Sequence, residues 1–134
     1  MQTKHVLGAA EANQILAAAR AEAERNGWAV AIAVVDDGGH PLAFVRLDGT
    51  APVGSYIAQE KARTAALGRR ETQLYEDMIN NGRTAFLSAP LVATLGGGVP
   101  VVVGGQVVGA VGVSGMKPDE DAQIAKAGVN GLAA

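Results

Sequence analysis

The sequence predicts an α+β fold in which two antiparallel β-hairpins share one sheet and helices flank it, in the order α-ββ-α(α)-ββ-α. Three observations carry this. Two runs rich in Val, Ile and Ala fold back on themselves at Gly-rich turns. Segments with helical spacing of apolar residues stand before, between and after them. The last of these opens on Pro118-Asp119-Glu120-Asp121, a proline suited to N1 followed by acids that complement the positive end of a helix dipole. At 134 residues the chain reads as one domain over 1–134, able to bury roughly 68% of its unfolded surface.

The first helix spans Ala9 to Asn26, with Ala12, Ile15, Leu16, Ala19 and Ala23 on one stripe and Asn26-Gly27 as its stop. "WAVAIAVVDDGGHPLAFVRLDG" follows as a hairpin: Trp28 to Val35, a turn at Asp36-Asp37-Gly38-Gly39, and a return over Pro41 to Arg46. Both strands are too apolar for a sheet with one wet face, and Pro41 suits an edge strand. Ala51 to Arg70 reads as an alanine-rich second helix and Glu71 to Asn80 as a short third one, ended by Asn81-Gly82. Arg83 to Gly98 shows no period and reads as loop or a short helical turn. The second hairpin runs Val99 to Val103, turns at Gly104-Gly105-Gln106, and returns over Val107 to Val113. The closing helix extends to about Leu132, with Ala122, Ala125, Val129 and Leu132 placed inward.

Composition removes several function classes. With no cysteine there are no disulfides, thiolate metal sites or thiol nucleophiles. A net charge of −2 with scattered Lys and Arg gives no field for nucleic acid. The start "MQTKHVLGAAEANQ" lacks the apolar core of a signal peptide, and no uninterrupted apolar run reaches about 18 residues, so the expectation is a cytoplasmic protein that does not enter membranes. No H-x-H or H-E-x-x-H pattern exists, and no metal site is expected.

Lys61 is the residue with the most to explain. Gly54, Ile57, Lys61, Ala65 and Gly68 share one helical stripe of otherwise small or apolar residues. A lysine there must snorkel to water, pair with a carboxylate, or point into a pocket as a cation or a base, with Thr64 one turn on as its polar companion. Asp36 is first a turn residue, and secondly a partner for Arg46 or Lys61 at the strand end. Arg46 could clamp a carboxylate. Gly109 and Gly112 leave bare backbone in a strand, for close packing or for a flat ligand. Gly96-Gly97-Gly98 is no phosphate loop, since no GK[ST] follows and a strand comes next. The amides of Gly97 and Gly98, and the Ser114 hydroxyl, are the remaining groups that could face a ligand.

"VVDDGGHPLAFVRLDG", "AQEKARTA" and "GGGVPVVVGGQVVGAVGVSG" before an acidic helix start resemble, in that order and spacing, the GlcG/HbpS family, also found as the C-terminal part of PduO-type proteins. The likeness covers nearly the whole chain, and Lys61 falls in its "KA-x-TA" pattern. It implies a sheet of about five antiparallel strands flanked by helices, assembly into homo-oligomers, and haem binding, with haem degradation in some members. Haem needs an axial ligand, or an apolar slot with cations for its propionates. The chain offers His5, His40, Tyr56, Tyr75 and its methionines as ligands. The resemblance points to His5 near the N-terminus, and Lys61 becomes a candidate for a propionate. Two functions follow: an oligomeric small-ligand binder, for haem or a related tetrapyrrole, or a cofactor-independent isomerase- or lyase-type enzyme on a carboxylated metabolite, with Lys61 and Arg46 as its catalytic groups. The binder is favoured, because no complete catalytic constellation is present.

Overall fold

The computed structural model describes residues 1–132. Its elements are α1 (Ala9–Arg25), β1 (Ala31–Asp36), β2 (Pro41–Arg46), α2 (Val53–Gly68), α3 (Thr72–Asn80), a 3₁₀ turn (Thr84–Ser88), β3 (Gly98–Val103), β4 (Gln106–Ser114) and α4 (Pro118–Asn130). The two hairpins join through β1 and β4, giving one antiparallel sheet in the order β2-β1-β4-β3. Pro41 lies in the edge strand β2, where its missing N–H costs no ladder bond.

The sheet is sandwiched, and its two faces differ in side-chain size rather than polarity. On β1, Ile32 and Val34 face α1 and α4, while Ala31 and Ala33 face α2. β4 repeats the scheme, with Val111 and Val113 on the first face and Ala110 and Gly112 on the second. Ile15, Ala19, Ile124 and Ala125 complete the valine-rich core. The alanine-rich helix α2 lies on the small-residue face through Ala58, Ala62, Ala65 and Ala66. A methyl group at Gly112 would overlap the carbonyl of Ala58 and the amide of Ala62. The glycine therefore sets how near α2 comes to the sheet.

Two expectations need correction. The sheet has four strands among the described residues, not about five. The four β-favouring runs of the two hairpins are all used. The N-terminal arm, residues 1–8, lies beside β4 without joining its ladder: β4 outruns β1 at Gln106–Val108, and there Lys4 donates from Nζ to the Val107 carbonyl at 3.0 Å. In α4 the buried stripe is Asp121, Ile124, Ala125 and Gly128, one position away from the expected stripe headed by Ala122. Ala125 is common to both, while Val129 and Leu132 are only half-buried against the core.

Candidate functional site

At the end of the sheet where β4 stops and β3 begins, Lys61, Gly97, Gly98 and Ser114 come together. Lys61 is 4% exposed. Its ammonium donates to the Val113 carbonyl at 2.9 Å and to Asp121 Oδ2 at 3.1 Å, joining α2, β4 and α4. Asp121 is buried as well, and its other oxygen accepts the Met116 amide at 3.0 Å. Burial pushes the Asp121 carboxyl above its ordinary value, against the opposing pull of the Lys61 charge and the Met116 N–H. Gly97 roofs the pair with φ +123°, a conformation side chains rarely adopt, and a methyl group there would sit 2.9 Å from Lys61 Nζ. Of the three alternatives for Lys61, the observed contact is the carboxylate pair.

The amides expected to face a ligand are in part already taken. Gly98 donates to Thr72 Oγ1 at 2.8 Å and Gly96 to Glu76 Oε1 at 2.9 Å, which ties the glycine run to α3. Thr64 is buried and lines, with Glu60, Arg63 and Leu67 of α2 and the Pro90–Val92 loop, a cavity of about 40 Å³. That is room for about one water.

Arg46 and Asp36 lie elsewhere. Arg46 ends the edge strand β2, and the register runs from it through Ala31 to Ser114. Two strand spacings, about 10 Å, separate the backbones of Arg46 and Ser114. Among the described residues no hydrogen bond or ion pair joins Arg46 to Lys61, whose ammonium is taken by Val113 and Asp121. Asp36 makes the turn: its Oδ1 accepts the amides of Gly38 and His40, each at 2.9 Å, so it pairs with neither Arg46 nor Lys61. His40 is exposed just after that turn.

His5 sits at the opposite end of the sheet, on the N-terminal arm beside the β3–β4 turn. It separates two clefts. One, of about 410 Å³, is lined by Thr3, Lys4, Val103, Gly104 and Gln106. The other, of about 240 Å³, is apolar, formed by Val6, Leu7, Val103, Val108 and Leu132 with Glu11. A third, of about 460 Å³, adjoins the first through Lys4 and Gln106 and adds Arg69. Arg69 has φ +59°, and its guanidinium donates to the carbonyls of Asp37 and Ala66. Lys4 also pairs with Asp37 at 2.7 Å, and that contact holds the Asp37 carboxyl below its ordinary value. From Val107, held by Lys4, to Val113, held by Lys61, β4 runs six residues, about 20 Å. Lys61 is therefore out of reach of a ligand centred on His5.

A family described as haem degrading protein HbpS-like matches residues 7–130. The chain belongs to the HbpS-like family. Protein GlcG of Escherichia coli K12 is 63% identical over 114 residues, 85% of each chain. A Streptomyces reticuli HbpS double mutant is 31% identical and superposes with a TM-score of 0.89, over 100% of this chain and 92% of the other. The protein in the crystal structure of the PduOC:Heme complex is 26% identical, with a TM-score of 0.84 over 96% of each chain.

Asp121 is the residue of this HbpS-like chain that sequence reasoning missed as Lys61's partner. Three successive acids open α4, and all three read equally well as dipole partners. The available signal was register: only Asp121 stands three, four and seven residues before Ile124, Ala125 and Gly128, the face that α4 buries. Thr72 and Glu76 carried no such signal, because their partners are backbone amides of a segment without periodicity.

Proposed function

We propose that this HbpS-like chain binds haem or a related tetrapyrrole as an oligomer, through the clefts around its N-terminal arm. The observation that carries the reading is His5 standing between an apolar cleft and one that continues into cationic surface. His5 would supply the axial nitrogen, Val6, Leu7, Val103, Val108 and Leu132 an apolar wall, and Lys4 with Arg69 the charge for propionates. Bound haem would contribute its iron as the reactive centre; the chain's own part is to ligate, orient and exclude water.

Family membership and the likeness to a protein crystallised with haem support the choice of ligand. The apolar cleft alone, about 240 Å³, falls short of the roughly 300–1,000 Å³ usual for ligand pockets. A macrocycle would need the adjoining cleft or a surface from a second copy, which is why assembly belongs to the proposal. The enzyme alternative loses support from the contact that occupies Lys61.

Titration of the apo-protein with haemin, followed at the Soret band, tests this. A saturable shift that persists through gel filtration is the expected result. A colourless protein after gel filtration would overturn it.

A further inference from the structure

The two cations beside the arm clefts, Lys4 and Arg69, both touch one residue of the β1–β2 turn. Lys4 Nζ lies 2.7 Å from Asp37 Oδ2, and Arg69 Nη1 donates to the Asp37 carbonyl at 2.7 Å. The Asp37 carboxylate has no duty in the turn itself. Asp36 closes it, with Oδ1 accepting the Gly38 and His40 amides and its carbonyl accepting that of Gly39. Among the described residues, Lys4 is the only side chain bonded to the Asp37 carboxylate. Lys4 has a second hold, since it also donates to the Val107 carbonyl at 3.0 Å. Behind it the arm is anchored by Leu7, which is buried against Gly109, where a methyl group would stand 2.8 Å from Leu7 Cδ2. The side chains of Lys4 and Asp37 keep 28% and 34% of their exposure, so water and solutes reach the pair.

A ligand carboxylate drawn to Lys4 meets a carboxylate already there. We infer that Asp37 is an internal competitor for the carboxylate of the ligand: it holds Lys4 until a ligand carboxylate takes its place, and then turns to water. The exchange breaks one ion pair for each one formed, so the ligand gains at Lys4 only the difference. That sets a threshold. A tethered carboxylate stands at an effective concentration that a small free carboxylate does not match, so such solutes leave the pair intact. A ligand that also fills the apolar cleft with its body overcomes the competition, and Asp37 thereby selects for ligands that bring both. The inference rests on the proposed function for the ligand and on the Lys4–Asp37 pair for the exchange.

Soret titrations of the wild type and Asp37→Asn, with haemin and with haemin dimethyl ester in one detergent-containing buffer, decide it. The ester keeps the macrocycle and the iron but carries no propionate charge. Asp37→Asn is expected to bind haemin about five-fold tighter than the wild type, the upper range for a partly exposed ion pair, and to bind the ester with wild-type affinity. The gain should shrink at high salt, which screens such a pair. A merely structural role for Asp37 would weaken both ligands rather than tighten one, and a variant that failed to fold could not show a gain. Haemin affinity unchanged or weaker in Asp37→Asn, or an equal gain for the ester, overturns the competitor role while leaving haem binding standing. No saturable shift with either protein overturns the proposed function, and the competitor role falls with it.

Discussion

Lys61 and Asp121 are two charges withdrawn from water, and each depends on the other. Removing one partner of such a pair leaves an uncompensated buried charge, at a cost of about 3–5 kcal/mol. Lys61→Ala should accordingly lower the unfolding free energy by about that amount in urea titrations, whereas Lys61→Met combined with Asp121→Leu should restore most of it. The same carboxyl makes stability depend on pH. Because burial raises its pKa, the folded chain keeps this proton over a range in which the unfolded chain has lost it. Its contribution is full below the ordinary aspartate value and declines as pH rises through the raised one. Asp121→Asn removes that component, so the difference in unfolding free energy between variant and wild type should shift in favour of Asn as pH rises above the ordinary aspartate value of about 4. A difference independent of pH would mean that Asp121 titrates normally.

At the scale of elements, closeness between α2 and the sheet decides what residues are tolerated. Gly112→Ala forces a methyl group into the backbone of α2 and should destabilise the fold by about 3 kcal/mol, read as a lower urea midpoint. A change below about 1 kcal/mol would mean that helix and sheet separate readily. The helices and both hairpins were legible because each shows its own period and punctuation, as in the stripe Ala12, Ile15, Ala19, Ala23 ended by Asn26-Gly27. The pairing of faces was less so. Alternation of large and small apolar residues, Val111 and Val113 against Ala110 and Gly112, carries no polar signal to say which side is inner. The glycines of β4 nevertheless told of close approach: α2 supplies it at Gly112, and the Val35 carbonyl and Leu7 side chain at Gly109. Arg83–Gly98 was legible only as loop or a short helical turn, which the 3₁₀ turn Thr84–Ser88 agrees with, because the rest of its order comes from contacts with α3 and not from any period of its own.

For the molecule as a whole, the candidate residues divide between the two ends of the sheet. Lys61, Gly97, Gly98 and Ser114 gather where α2, β4 and α4 are tied together, and the observed contacts there are those of a structural lock. His5, Lys4 and Arg69 gather about 20 Å away beside three clefts. A further cleft of about 290 Å³ lies past the Arg46 end of β2, lined by Arg20, Glu24, Trp28, Leu47 and Asp48. The sequence named His5, Lys61, Gly97, Gly98 and Ser114 but not Lys4 or Arg69, and it could not sort those it named, since which ones share an end depends on strand register and on where the arm lies. Sorting them moves the proposed ligand site from Lys61 to the arm. The measurement that tests this most directly is a haemin titration of His5→Ala beside Arg46→Ala, a substitution on the exposed far edge of the sheet. His5→Ala is expected to lose the saturable Soret shift, and Arg46→Ala to keep it at wild-type affinity. Full binding by His5→Ala would contradict the placement of the site.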